Sequence, residues 1–152
     1  MPNSVMWGRL AACGGLAIRL AVAAPAQPPF TVVDASIAQM TAALNQGRIT
    51  SRELVTQYLV RIALYEDKLH AAIVVNPKAL EEADALDRER AQHKLRGPLH
   101  GIPVAVKDNI HTTNMPTTGG ALVFDGFVPP YEATLVRNLR DAGAIIPGPL
   151  SR

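Results

Sequence analysis

The run Ile102-Pro103-Val104-Ala105-Val106, closed by Lys107-Asp108-Asn109, constrains the fold more than any other stretch of the chain. Five apolar residues without polar alternation match a strand covered on both faces, and such strands belong to sheets flanked by helices. A lysine at the carboxyl end of that strand stands where open α/β sheets place their ligands. Its amine has two readings. In the first it pairs with Asp108 or with solvent. In the second it serves chemistry, because lysines held between apolar walls lose hydration, which favours the neutral amine and lets it accept a proton from a hydroxyl nucleophile.

The flanking sequence supplies the helices. Asp34 or Ser36 can cap a helix with Ile37, Met40 and Leu44 on one face and Gly47 as its stop. Thr50 and Glu53 have capping-box spacing ahead of Leu54, Val55, Tyr58, Leu59 and Ile62, a second amphipathic helix, and the two predict a helical hairpin. Residues 71–76, AAIVVN, read as a short buried strand. Pro77 then opens a third helix over 78–93, with Ala79, Leu80, Ala83 and Leu86 inward and mixed charge outward as a solvated surface. Gly97-Pro98 ends it, the 102–106 strand follows, and a Gly/Thr/Pro-rich loop, TTNMPTTGGA, leads into FDGFVPP. ATLVRNLRDAG is a fourth helix stopped by Gly143, and AIIPG begins another strand. Strands alternating with helices imply parallel pairing and an α/β sheet.

Size and charge narrow the function classes. The 152 residues are enough for one domain, 48% of them are hydrophobic, and the net charge of +2 is scattered rather than gathered in a stripe. That excludes a nucleic-acid-binding role as the main expectation. A single cysteine, Cys13, allows no internal disulfide and no cysteine metal site. His70, His93, His100 and His111 lack ligand spacing, so no metal and no cofactor is expected. GPLHGIP lacks the Gly-Lys-Ser/Thr of a phosphate loop, which argues against nucleotide binding. Residues 1–30 form a candidate leader with Arg9 near the start and Ala-x-Ala at 21–23 and 24–26. Arg19 interrupts its apolar run, which is too short to span a bilayer. Leu10-Ala11-Ala12-Cys13 has the form of a lipoprotein cleavage site without the apolar segment that should precede it. A genuine leader implies a periplasmic or secreted protein; a mis-assigned start implies a cytoplasmic one.

RGPLHGIPVAVKDNI, then NMPTTGG, then ATLVRNLRDAGAII resemble the amidase signature family in order and spacing, and residues 36–87 are similar to the family's amino-terminal portion. The resemblance implies a mixed-sheet α/β fold, of which 31–152 would be the truncated amino-terminal part of the amidase domain. It implies hydrolysis or transfer of amides by a Ser–Ser–Lys triad. Lys107 matches the general base, a bridging serine in a cis peptide relays the proton, and a second serine attacks the amide carbon. Asp108, Asn109, Met115 and Thr117 are then candidates for orienting the lysine or shaping the substrate loop, and Tyr131 for approaching the substrate. The implied partner is a small-molecule amide, bound by the complete enzyme.

The serines here are Ser4, Ser36, Ser51 and Ser151, none in a glycine-rich turn suited to a nucleophile with amide donors around it. This predicts that the chain alone is inactive, since loss of the nucleophile removes most of a triad's catalysis. After AGAII the family usually continues Leu-Gly-Lys-Thr-Asn, where this chain has Pro147-Gly148-Pro149-Leu150; Pro147 in a central strand deletes a ladder hydrogen bond and is read as a sign of truncation or a frame change. An acidic residue is often found at His111 and a serine at Ala121. Two alternatives stay open: the tRNA amidotransferase branch of the same family, and a non-catalytic remnant that binds a partner through an unpaired sheet edge.

Overall fold

The computed structural model describes residues 28–150. Most of the candidate leader, including Ser4 and Cys13, and Ser151 lie outside the described residues. Helix α1 (Ile37–Asn45) is capped by Ser36 rather than Asp34: the Ser36 hydroxyl accepts the Gln39 N–H and the Gln39 side chain accepts the Ser36 N–H, while Asp34 turns the chain at φ 55°. Met40, Ala43 and Leu44 are buried, but Ile37, expected on the same face, is exposed. Gly47 closes the helix in the left-handed region, as its position predicts. Helix α2 (Ser51–Leu69) opens with the Thr50–Glu53 capping box and inserts Leu54 and Val55 fully into the core. Its later turns leave Val60, Leu64 and Leu69 exposed.

Helix α3 (Ala79–Ala91) packs along α2 through Ala79, Ala83 and Leu86, the face the periodicity predicts. Pro77 precedes the helix by two residues, and the Asn76 side chain accepts the Lys78 N–H. The charged face is not merely solvated. Asp87 accepts the N–H groups of Ser51 and Arg52 at the start of α2, Asp84 pairs with Arg52, and Arg90 donates to Asn45 on α1 and to the His100 carbonyl. Burial holds the Arg90 guanidinium below its ordinary value, and nearby Asp87 opposes the shift. These charges tie helix to helix.

Strand β1 (Val106–Lys107) pairs in parallel with β2 (Pro149–Leu150), and an isolated bridge joins Pro103 to Ile145 upstream. The sheet is therefore shorter than the apolar run suggests. From Pro103 to Val106 is three residues, whereas the partner needs four, Ile145 to Pro149, to reach the same register: a bulge at Pro147-Gly148. Pro147 has no N–H to offer, so the ladder breaks there. Residues 71–76 lie on the far side of this segment. Ile73 donates to the Pro149 carbonyl and Asn76 to that of Pro147, with one antiparallel bridge at Ala72. This corrects the reading of a buried strand, since Ile73 and Val75 are exposed. The 102–106 strand is likewise not covered throughout: Ala105 is exposed.

Adjacent residues Ile145 and Ile146 face opposite layers. Ile145 joins Val55, Ala79, Ala83 and Leu86 under α2 and α3; Ile146 joins Val106, Met115 and Val136 under helix α4 (Thr134–Asp141). A third cluster places Ile102 against α1 and the start of α2. Burying each such side chain contributes roughly 1.5–3 kcal/mol before entropy is counted. The architecture is α/β: a small sheet between helices, with the carboxyl end of β1 left open. Among the described residues no helix is long and apolar enough to cross a membrane.

Candidate functional site

The carboxyl end of β1 opens into a cavity of about 720 Å³. Lys107 and Asn109 form one wall and Gly119 and Gly120 another; Leu69 and Ile73, from the end of α2 and the segment after it, close the third side. Lys107 is exposed to this space, and its amine forms no hydrogen bond or ion pair with any described residue. The neighbouring carboxylate does not pair with it. Asp108 is 3% exposed, and it accepts the Thr118 N–H at 3.0 Å and the Thr118 hydroxyl. Its carbonyl accepts the Gly119 N–H at 3.2 Å, and its own N–H donates to Leu150 at 3.0 Å. Asp108 thus fastens the Thr118-Gly119-Gly120 turn to the end of the strand.

The turn follows from its residues. Gly119 and Gly120 have φ of 58° and 78°, conformations a Cβ would strain, and the Thr118 hydroxyl accepts the Gly120 N–H. Thr117 is buried and donates its N–H to the Phe127 carbonyl. Met115 is buried in the core beneath α4 and lines neither this cavity nor its neighbour. Tyr131 is exposed, its ring 5.0 Å from that of His111. Behind the loop, Arg140 donates to Glu132, Glu82 and Asn114, linking α4, α3 and the loop in one ionic cluster.

His100 and the two serines within the described chain are structural. The His100 ring accepts the Arg96 N–H and donates to the Leu86 carbonyl, a fully used imidazole in the core. Ser36 caps α1, and Ser51 lies buried at the start of α2. No group of three or more His, Cys, Asp or Glu side chains suited to a metal occurs among the described residues. The strand-end residues were legible from the sequence. Leu69 and Ile73 were not, because only the antiparallel pairing of 72–76 with 147–150 brings them beside Lys107.

A small helix-flanked sheet with a lysine at the mouth of a cavity defines an α/β protein with a strand-end site. The family model described as Amidase matches residues 53–151, and the chain belongs to the amidase family. It is 43% identical over 133 residues to the A subunit of the chloroplastic/mitochondrial glutamyl-tRNA(Gln) amidotransferase of Oryza sativa subsp. indica, covering 82% of this chain and 24% of that protein. It is also 43% identical over 114 residues to the A subunit of the glutamyl-tRNA(Gln) amidotransferase of Thermobifida fusca, covering 74% of this chain and 23% of the relative. Among solved structures, the peptide amidase of Stenotrophomonas maltophilia superposes with a TM-score of 0.75 at 45% identity, over 77% of this chain and 24% of that one. An amidase family protein of Bacillus anthracis superposes with a TM-score of 0.74 at 35% identity, over 78% of this chain and 24% of that one. The chain spans about a quarter of the length of the curated relatives it matches.

Proposed function

We propose that this chain carries the general base, Lys107, of a site that hydrolyses carbon–nitrogen amide bonds other than those of the peptide backbone. The observation that carries the reading is the uncommitted Lys107 amine at the strand end, facing a cavity large enough for a small amide. In the chemistry that family membership implies, the lysine amine acts as base and takes a proton through a bridging serine from the nucleophilic serine. That oxygen attacks the amide carbon, and the amine leaves with a proton returned along the same relay. Water then attacks the acyl-serine, releasing the acid and restoring the hydroxyl. Neither described serine is placed for this work, so both serines would come from a part of the family fold that the described residues do not contain. Alone, residues 28–150 would bind but not turn over.

A second reading has its own support. The Oryza sativa and Thermobifida fusca relatives are both components of glutamyl-tRNA(Gln) amidotransferases, which favours amide transfer within a larger assembly. One experiment separates the two. Residues 34–150 replace the matching segment of the Stenotrophomonas maltophilia peptide amidase, and the graft is assayed on a panel of small amides and, with the other amidotransferase components, on mischarged tRNA. Release of ammonia or amine from small amides without partners supports the proposal. Activity that requires the other components together with charged tRNA supports the second reading, and a folded graft with neither activity contradicts both.

A further inference from the structure

Beside the lysine cavity lies a smaller chamber of about 210 Å³. The two share Asn109 and Gly119 as walls, so they are neighbouring compartments of one depression. The rest of the lining is Phe124, Phe127 and Ala121 with the ring of His111, and Thr117 and Thr118 at the rear. The rings already sit in attractive geometries. Phe124 and Phe127 have centroids 5.9 Å apart at 47°, and His111 meets Phe127 edge-on at 6.5 Å. At the rear the Thr117 N–H is bonded to Phe127 and the Thr118 N–H and hydroxyl to Asp108. An apolar guest displaces water from the aromatic surface of Phe124 and Phe127. A cavity of roughly 150 Å³ lined by apolar side chains holds a benzene ring, so this chamber has room for a phenyl or branched aliphatic group.

We infer that the chamber is the subsite for an apolar, ring-sized substituent of the amide acted on at Lys107. The inference rests on the proposed amide chemistry for its orientation, since a substituent seated against Phe127 projects the attached carboxamide past Asn109 and Gly119 toward the amine. Binding in the chamber, however, does not need the amine. That separates the two tests.

The experiment titrates the chain with benzamide and, in parallel, acetamide, following the aromatic ring resonances by NMR. Saturable shifts of the Phe124, Phe127 and His111 rings are expected with benzamide, at concentrations at least tenfold below any effect of acetamide. A121L fills the chamber from its rim and F124A removes a wall; each should weaken benzamide binding several-fold or more while the helical signal and unfolding midpoint are kept. K107A should still give saturable benzamide shifts of the Phe124 and Phe127 rings, whatever its affinity. Shifts that fail to saturate, that are equal for the two amides, or that persist unchanged in a folded A121L or F124A overturn the subsite. Loss of ring shifts in K107A also overturns it, because the aromatic group would then be held through the amine. Failure of the grafted enzyme on small amides, with ring binding intact, counts against the lysine chemistry and leaves the chamber standing.

Discussion

A Cβ on Gly101 would lie 2.1 Å from the Ser51 hydroxyl oxygen, and Gly101 has φ +82°. No side chain fits, and the backbone is one that L-residues avoid, so G101A should cost about 3 kcal/mol of stability by denaturant titration. The Ser51 hydroxyl is itself buried without a partner. S51A should therefore be neutral or stabilising by up to about 1 kcal/mol, and G101A should cost less in that background. The glycine of the His-Gly-Ile-Pro string was visible in the sequence. Its reason was not, because that reason stands across the fold on α2. The same residue scale holds a pH-dependent pair. Arg96 donates to both oxygens of Glu89, at 2.8 and 2.5 Å, and holds its carboxyl below the ordinary value of 4.5. With the folded value below the unfolded one, this contribution is present above pH 4.5 and fades as pH falls through the folded value. E89Q should flatten the stability profile below pH 4.5, and the change should be small because the pair is solvent-accessible.

At the scale of elements, the caps and apolar faces of the helices could be read directly, because capping and i, i+4 spacing act within one element. Sheet geometry could not. The break at Pro147-Gly148 and the antiparallel seat of residues 72–76 depend on partners 40 or more positions away in the chain. The charges of α3 were misjudged for the same reason, since whether Glu82 is solvated depends on where Arg140 lies. Arg140 ties Glu82, Glu132 and Asn114 together while about a quarter exposed. R140A should destabilise the chain by about 1–3 kcal/mol and loosen the loop that carries Asn114. D108N should act more locally. With a weaker acceptor for the Thr118 N–H, the Thr118 and Gly119 amides should exchange with solvent at least tenfold faster, while helix amides keep their protection.

At the scale of the whole molecule, the cavity opens where α/β sheets place their ligands, at an open strand end with a turn fastened over it. The sequence made Lys107 visible because a charge ends an apolar run, and the family resemblance added a role that the strand position alone did not assign over that of a solvent-facing amine. What could not be read were the cavity walls contributed by Leu69 and Ile73 and the aromatic chamber next door, which exist only once distant segments meet. The central claim is that Lys107 acts as a base rather than as a structural cation. The measurement that tests it most directly is the turnover rate of K107M in the peptide amidase graft, with the unmutated graft alongside. The account predicts a loss of at least about a thousandfold in kcat with an unchanged unfolding midpoint. A folded K107M graft that keeps its rate would contradict it.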